Sequence, residues 1–170
     1  MATPLVYSRA AVNFTLGNLA CTARNTVRPF QARLYYVAAC NHCGSGGDSV
    51  PTLKRLDLVG ETLVETALVE GVESLRLEYG FDTDGNGSVD TYRTAAAATG
   101  PESLWENVMA LKVHLIVRSV ESVGGSTLSH AQNFDLGGAG SVTTAADGLL
   151  RKAYSSTVRL VNPSATREQQ

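Results

Sequence analysis

Two stretches of the chain alternate apolar and polar residues with a period of two, which is the pattern of a β-strand with one face on a core. In residues 72–81 the apolar face carries Leu75, Leu77 and Tyr79. Residues 105–118 contain the longest predicted strand. Its apolar face is formed by Met109, Leu111, Val113, Leu115 and Val117. The opposite face of this strand is mixed, so we expect a sheet with one face on the core and the other half covered.

Shorter segments also favour strands, because they are rich in apolar and aromatic residues or alternate in polarity. They are residues 34–39, 53–59, 62–69, 89–94 and 153–162. Gly60 turns the chain between the second and third of these segments, which predicts a hairpin. With 16 glycines and few charged helix formers, the chain is predicted to be mainly strands and turns.

The other parts of the chain carry weaker signals. Residues 1–33 form an N-terminal segment whose pattern fits a short helix or a strand. Residues 119–148 are rich in Gly, Ser, Thr and Ala without strong periodicity, which predicts a long flexible insertion. Residues 163–170 form a polar tail. No repeat and no linker divides the sequence, so residues 1–170 are predicted to be a single globular domain.

Composition narrows the class of protein. With 170 residues the chain is long enough for a core, and its net charge of −2 argues against a nucleic-acid-binding protein. No apolar run approaches the ~18–20 residues of a membrane helix. The first residues lack the basic and apolar regions of a signal peptide. We interpret the sequence as that of a soluble chain, and as a candidate fragment of a longer exported protein.

The strongest chemical signal directly follows the predicted strand at residues 72–81. Oxygen-bearing side chains recur at every second position, and two glycines permit a tight wrap. The candidate metal ligands are Asp82, Asp84, Asn86, Ser88 and Asp90. Oxygen ligands at this spacing favour Ca²⁺, with Ser88 offering its backbone carbonyl. Because free Ca²⁺ is plentiful outside the cytosol, the loop also indicates an exported protein.

The loop has the ligand spacing of an EF-hand in a different setting. Arg93 stands where an EF-hand has its bidentate glutamate, and strands are predicted on both sides. The missing ligand predicts a Kd of ~10⁻⁴–10⁻³ M. The alternative is a polar hairpin loop, since Asp, Asn and Gly also favour turns. If a metal binds, Asp82→Ala or Asp84→Ala should lower thermal stability in Ca²⁺ and have little effect in chelator.

Three cysteines, Cys21, Cys40 and Cys43, allow one disulfide with one cysteine left over, and the sequence leaves the pairing open. A structural disulfide in a loop is the leading interpretation of the C-x-x-C motif at residues 40–43. A zinc half-site, completed by the third cysteine and a histidine, and a redox motif are the alternatives. A redox role is disfavoured because the motif follows a strand and precedes the glycine-rich residues 44–47, whereas such motifs begin a helix.

Nothing else in the sequence assembles a catalytic site. No G-x-S-x-G nucleophile elbow occurs. His114 lies within a predicted strand, where we expect it to be packed or half exposed. The glutamates Glu70, Glu73 and Glu78 are expected on a solvated strand face, and Trp105 is expected in the core. We therefore predict that the protein is not an enzyme.

Several segments form an ordered set. They are residues 34–40 with Cys43, 51–55, 68–75, 79–80 with 82–87, 105–111 and 154–163. This set resembles the globular part of PilW-type minor pilins of bacterial type IV pili. The order and spacing of the segments make the resemblance specific. The chain departs from the family because it lacks the processed leader and the long hydrophobic helix with which pilins begin, so we expect it to be truncated.

The resemblance implies an α+β fold that is mainly β, in which a pilin-like antiparallel sheet packs on a long N-terminal helix, here truncated or missing. It implies a non-enzymatic role in priming pilus assembly at the fibre tip, with other minor pilins and a PilY-type tip adhesin as partners. It places the protein on the extracellular pilus at the cell surface, and in the inner membrane before assembly if the full chain has the helix. The alternative function is a Ca²⁺-dependent extracellular adhesion or carbohydrate-binding module, for which Tyr79 and Tyr92 are the nearest aromatic side chains.

Overall fold

The computed structural model describes residues 8–17, 20, 22–24, 26–98, 102–122 and 130–161. The strands of these segments are β1 (Arg33–Ala38), β2 (Thr52–Val59), β3 (Thr62–Glu70), β4 (Val72–Phe81), β5 (Thr91–Arg93), β6 (Val108–Arg118), β7 (Asn133–Asp135), β8 (Ser141–Thr143) and β9 (Arg151–Arg159). Short 3₁₀ helices lie at Ala11–Asn13, Glu102–Asn107 and Gly137–Ala139. The prediction of a mainly β fold is therefore confirmed. No helix within these segments has the length and apolar character needed to cross a membrane.

The largest sheet has four strands in the order β5-β4-β6-β9, and each neighbouring pair is antiparallel. Its register aligns Leu75 of β4 with Leu115 of β6, and Leu115 with Tyr154 of β9. Residues directly opposite in an antiparallel pair have side chains on the same face. The apolar face predicted from the alternation in β4 and β6 therefore continues across three strands.

Two smaller sheets also lie within the described segments. One has the order β1-β2-β3, which makes the predicted hairpin strands β2 and β3 neighbours. The other consists of β7 and β8, an antiparallel pair in which Phe134 lies opposite Val142. Gly137 and Gly140 between them have φ of 63° and 81°, a region that favours glycine.

The chain divides into two compact units. The first contains residues 1–34 and 56–64, and the second contains residues 35–55 and 65–170. In the first unit Arg33 forms an ion pair with Asp57 (3.0 Å). The second unit contains the four-stranded sheet, the β7–β8 pair and every residue discussed below as a candidate site.

Among the described residues of the second unit, two clusters form the buried core. One contains Phe81, Ala98 and Val108. The other is centred on Ile116, which has no solvent exposure and packs with Leu136 and Ala139 from the β7–β8 connection. This contact covers the second face of the sheet. Residues 130–148 therefore include paired strands and core contacts where the sequence predicted an insertion without regular structure, because strands of three residues are too short to show a period.

Other boundaries differ modestly from the prediction. Residues 105–107 belong to a 3₁₀ helix, so β6 begins at Val108, and Trp105 is 43% exposed where a core position was expected. Strand β9 begins and ends earlier than predicted. In the N-terminal segment a 3₁₀ turn occupies Ala11–Asn13. The predicted polar tail, residues 163–170, lies outside the described residues.

Candidate functional site

The predicted cation loop connects β4 to β5, and backbone hydrogen bonds hold both of its ends. The N–H of Asp82 donates to the carbonyl of Asn107 (2.9 Å), and the N–H of Asp90 donates to the carbonyl of Phe81 (2.9 Å). Gly85 and Gly87 have φ of 82° and 84°. A side chain at either position would be strained, which favours glycine at both.

The carboxylate of Asp82 organises the interior of this loop. The residue is fully buried, and its Oδ1 accepts from the N–H of Gly85 (2.7 Å) while its Oδ2 accepts from the N–H of Gly87 (3.0 Å). Asp82 therefore stabilises the loop whether or not an ion is bound. Replacing it with alanine would leave two N–H groups without their acceptor, so the loss of stability should appear in chelator as well as in Ca²⁺.

The loop brings three predicted ligands together. Asp82, Asp84 and Asp90 each contribute one carboxylate oxygen to a group whose members all lie within 4.8 Å of one another. Oxygens that share one Ca²⁺ at 2.3–2.6 Å lie at most about 5 Å apart, so the spacing fits a common ion. Hydrogen bonds from the N–H and hydroxyl of Thr83 lower the pKa of Asp90, although the like charge of Asp82 raises it.

The other two predicted ligands take part in local hydrogen bonds. The side-chain amide of Asn86 donates to Asp84 Oδ2 (2.9 Å), and its Oδ1 accepts from the N–H of Ser88 (2.7 Å). The N–H of Asn86 also donates to Asp84 Oδ1 (3.1 Å). The structure thus assembles the three aspartates, while Asn86 and Ser88 support the loop next to them.

Aromatic side chains lie beside the loop. Trp105 meets the ring of Tyr79 edge-on, with centroids 5.0 Å apart, and it also contacts Phe81, which directly precedes the loop (6.0 Å). The ammonium of Lys112 lies 4.0 Å from the ring centroid of Tyr92. Tyr79 and Tyr92 are therefore engaged by neighbouring side chains, and Trp105 is the more exposed member of this group.

The C-x-x-C motif forms a disulfide between Cys40 and Cys43, with Cα atoms 5.3 Å apart. The pairing that the sequence left open is therefore between these two, and Cys21 lies outside the described residues. Because both sulfurs are joined to each other, neither is available to zinc in this state. The disulfide interpretation agrees with the structure.

A second aspartate organises the loop that follows the motif. Asp48 accepts from the backbone N–H groups of Asn41 (2.8 Å), His42 (3.0 Å) and Val50 (3.0 Å). These bonds, that from His42 first, lower the pKa of Asp48 to about 2. The His42 ring also lies 3.3 Å from the same carboxylate. The Asp48 carboxylate therefore stabilises the conformation of the loop by binding three of its backbone N–H groups.

Lys54 on β2 is a feature that the sequence did not reveal. It is 2% exposed, and its Nζ lies 2.7 Å from Glu65 Oε1 and 3.7 Å from the Sγ of Cys43. Tyr36 donates to the second oxygen of Glu65. The hydrogen bonds from Lys54 and Tyr36 lower the pKa of Glu65. A lysine in a strand of alternating polarity is expected to face solvent, so the sequence did not predict this contact.

A chain of polar side chains, of which Glu78 and His114 are buried, connects β4, β6 and β9 of the four-stranded sheet. His114 Nδ1 lies 2.7 Å from Ser155 Oγ, and its Nε2 lies 2.8 Å from Glu78 Oε2. Glu78 is 3% exposed, so its expected place on a solvated face was wrong. Glu73 likewise pairs with Arg151 (2.7 Å). These partners are distant in sequence, which is why spacing along the chain did not predict burial.

Comparison with known proteins identifies the class of protein. A family model described as Type IV Pilus-assembly protein W (PilW) matches residues 34–162, well over half of the chain. The chain therefore belongs to this family, and it takes part in type IV pilus assembly with other pilus components at the cell envelope. Comparison with curated proteins and with solved structures gives no match.

Proposed function

We propose that this chain is the globular ectodomain of a minor pilin that primes type IV pilus assembly at the fibre tip and has no enzymatic activity. The observation that carries the proposal is the family match over residues 34–162, which includes strands β2 to β9 in full. A shared face of the four-stranded sheet also supports it. That face contains the half-buried residues Leu75, Leu77, Leu111, Val113 and Leu115. An apolar sheet face of this kind suits the N-terminal helix of a pilin.

The test is deletion of the gene for the full-length protein in its own host, with complementation by that gene. Piliation should fall on deletion and return with the complementing copy, and immunogold label on the protein should mark fibre ends. The proposed partners, other minor pilins and a PilY-type tip adhesin, should co-purify with it. Normal piliation in the deletion strain would overturn the assembly role, and label along the whole shaft would overturn the tip position.

We further propose that the loop at residues 82–90 binds Ca²⁺ and stiffens the connection between β4 and β5. The three carboxylates within 4.8 Å support this, because a divalent cation would neutralise their mutual repulsion. At about 10 mM Ca²⁺ and a Kd of ~10⁻⁴ M, mass action would stabilise the folded state by about 2.7 kcal/mol. For a chain of this size that raises the melting temperature by roughly 5–11 °C.

Asp84→Asn is the variant that best tests this site, because Asp84 is exposed whereas Asp82 is also a buried acceptor. Calorimetric titration should give about one Ca²⁺ per wild-type chain and a much weaker signal for the variant. Melting curves should differ in Ca²⁺ and nearly coincide in chelator. Asp135→Asn is the matched control, since Asp135 also accepts a local N–H bond, from Gly137, and lies outside the aspartate group. Absence of heat and of any melting shift up to millimolar Ca²⁺ would reduce the loop to a polar turn.

A second candidate function is a Ca²⁺-dependent adhesion or carbohydrate-binding module on the cell surface. The observation that favours it is Trp105, which is 43% exposed and packs against Phe81 beside the loop. An exposed indole next to a bound cation would suit a sugar ring. Glycan binding that is lost both in chelator and in Trp105→Ala would support this function, and glycan binding unaffected by chelator would contradict it.

A further inference from the structure

The disulfide of residues 40–43 lies next to a buried positive charge. Cys43 is exposed, Cys40 is half buried, and the ammonium of Lys54 lies 3.7 Å from the Cys43 sulfur. A cation beside a cysteine stabilises its thiolate relative to the thiol. The sequence argued against a redox role because no helix begins at the motif. The structure supplies a different source of positive charge, from β2.

The loop around the disulfide is held by bonds that do not depend on the sulfur–sulfur bond. The carboxylate of Asp48 accepts three backbone N–H groups, and Gly47 donates to the carbonyl of Gly44 (2.9 Å). The ring that the disulfide closes spans three residues in sequence, and short rings constrain the unfolded chain least. Opening the disulfide should therefore leave the loop folded and the two sulfurs close enough to rejoin.

We propose that the Cys40–Cys43 disulfide is a thiol–disulfide exchange site in which Cys43 is the exchanging sulfur and Lys54 stabilises its thiolate. The proposal goes beyond the role in pilus assembly and does not depend on it. The reaction partner is a thiol, either a small molecule such as glutathione or a cysteine of another protein.

The exchange proceeds in two balanced steps. A thiolate attacks the Sγ of Cys43, the disulfide breaks, and Cys40 leaves as a thiolate that takes a proton from water. A second thiolate then attacks the external sulfur of the mixed disulfide, and Cys43 leaves as a thiolate beside the Lys54 ammonium. Two thiols are oxidised to a disulfide, and the protein disulfide is reduced to a dithiol.

The charges around Cys43 determine whether a substitution raises or lowers the pKa of its thiol. Lys54 contributes the positive charge, and Glu65, 2.7 Å from the same ammonium, offsets part of it. Tyr36 donates to Glu65, and Asp48 and Glu70 are bound to the loop through Asn41 and His42. Removing the positive charge at residue 54 should therefore raise the pKa of the Cys43 thiol, whereas removing the negative charge at residue 65 should lower it.

The experiment measures the thiolate of Cys43 by its ultraviolet absorbance in the full chain carrying Cys40→Ser, with Cys21→Ser so that a single thiol titrates. The pKa should lie at least one unit below the ordinary value of about 8.5. Lys54→Met should raise it and Glu65→Gln should lower it. In the chain with both Cys40 and Cys43, a glutathione redox titration at a pH above the thiol pKa of both proteins should favour the disulfide about tenfold more for each unit by which Lys54→Met raises the pKa.

The opposite signs distinguish exchange from a structural role, because a variant that only loosens the fold would not lower the pKa of the thiol. An ordinary thiol pKa, or one that neither variant moves, would overturn the proposal. If Lys54→Met does not fold, the Glu65→Gln arm decides alone, since Glu65 is half exposed and its amide retains the shape of the side chain. A disulfide that glutathione does not reduce in the folded chain would also overturn the proposal.

Discussion

Truncation of Ile116 tests whether the β7–β8 pair is part of the folded core. Ile116 has no solvent exposure and packs against Leu136, Ala139 and the partly buried Phe134 and Val142. Ile116→Ala removes three carbon atoms, which is about 2.4 kcal/mol at ~0.8 kcal/mol per buried methylene. The cavity left behind adds to this, so we expect a loss of about 3–4 kcal/mol.

Urea unfolding followed by far-UV circular dichroism measures this loss, with the m-value serving as a check that the transition is unchanged. Ile116→Val removes one carbon and should cost about 1 kcal/mol. Val120→Ala, at a position 51% exposed just beyond the same strand, is the surface control and should stay within about 0.5 kcal/mol. The melting temperature of Ile116→Ala should fall by roughly 6–16 °C.

Hydrogen exchange locates the effect. If the connection between β7 and β8 packs on Ile116, protection of the Phe134 and Val142 amides should fall in Ile116→Ala more than protection in the β4–β6 ladder. A cost below about 1 kcal/mol, or a cost equal to that of Val120→Ala, would refute the packing argument. It would return residues 130–148 to the flexible insertion that the sequence predicts.

Two further predictions concern charged groups. Arg151, whose side chain is 2% exposed, pairs with Glu73 (2.7 Å) and Asp147 (2.6 Å). Arg151→Met should cost about 1–3 kcal/mol in urea unfolding, because both carboxylates lose these hydrogen bonds while Glu73 keeps its ion pair with Arg118 (3.3 Å). A loss below about 1 kcal/mol would show that this cluster contributes little. Backbone hydrogen bonds, that from the N–H of His42 first, lower the pKa of Asp48 to about 2. The Asp48 carboxylate therefore stabilises the folded state above about pH 4, and this contribution is lost as pH falls towards 2. An NMR titration of the His42 amide should show that midpoint in the wild type and not in Asp48→Asn, and a midpoint at the ordinary value would contradict the bonding.

Much of the sheet could be predicted from the sequence, because β4 and β6 are long enough for a period of two to be unmistakable. The alternation also predicts which side chains of each strand share a face, since a slip of one residue would turn every side chain to the other face. The three-residue strands β7 and β8 could not be predicted in this way. They exist because Phe134 and Val142 pack on a surface that other strands create.

The candidate sites likewise include features that the sequence predicted and features that it did not. The aspartate loop was visible in the sequence because Asp82, Asp84 and Asp90 lie within nine residues and the glycines between them permit the turn. The ammonium beside Cys43 was not visible, because Lys54 is 11 residues away and comes from another strand. Glu78 and His114, 36 residues apart, likewise become neighbours only through the pairing of β4 with β6.

The sequence by itself determined the strand-rich class, the main antiparallel strands, the aspartate loop and the resemblance to a pilus-assembly family. These features depend on short-range periodicity and on contiguous motifs. Only the tertiary structure decided which charged groups are buried, which side chains face the disulfide and what covers the second face of the sheet. Burial and electrostatic environment depend on distances between residues that are remote along the chain, and those distances exist only after the strands have paired.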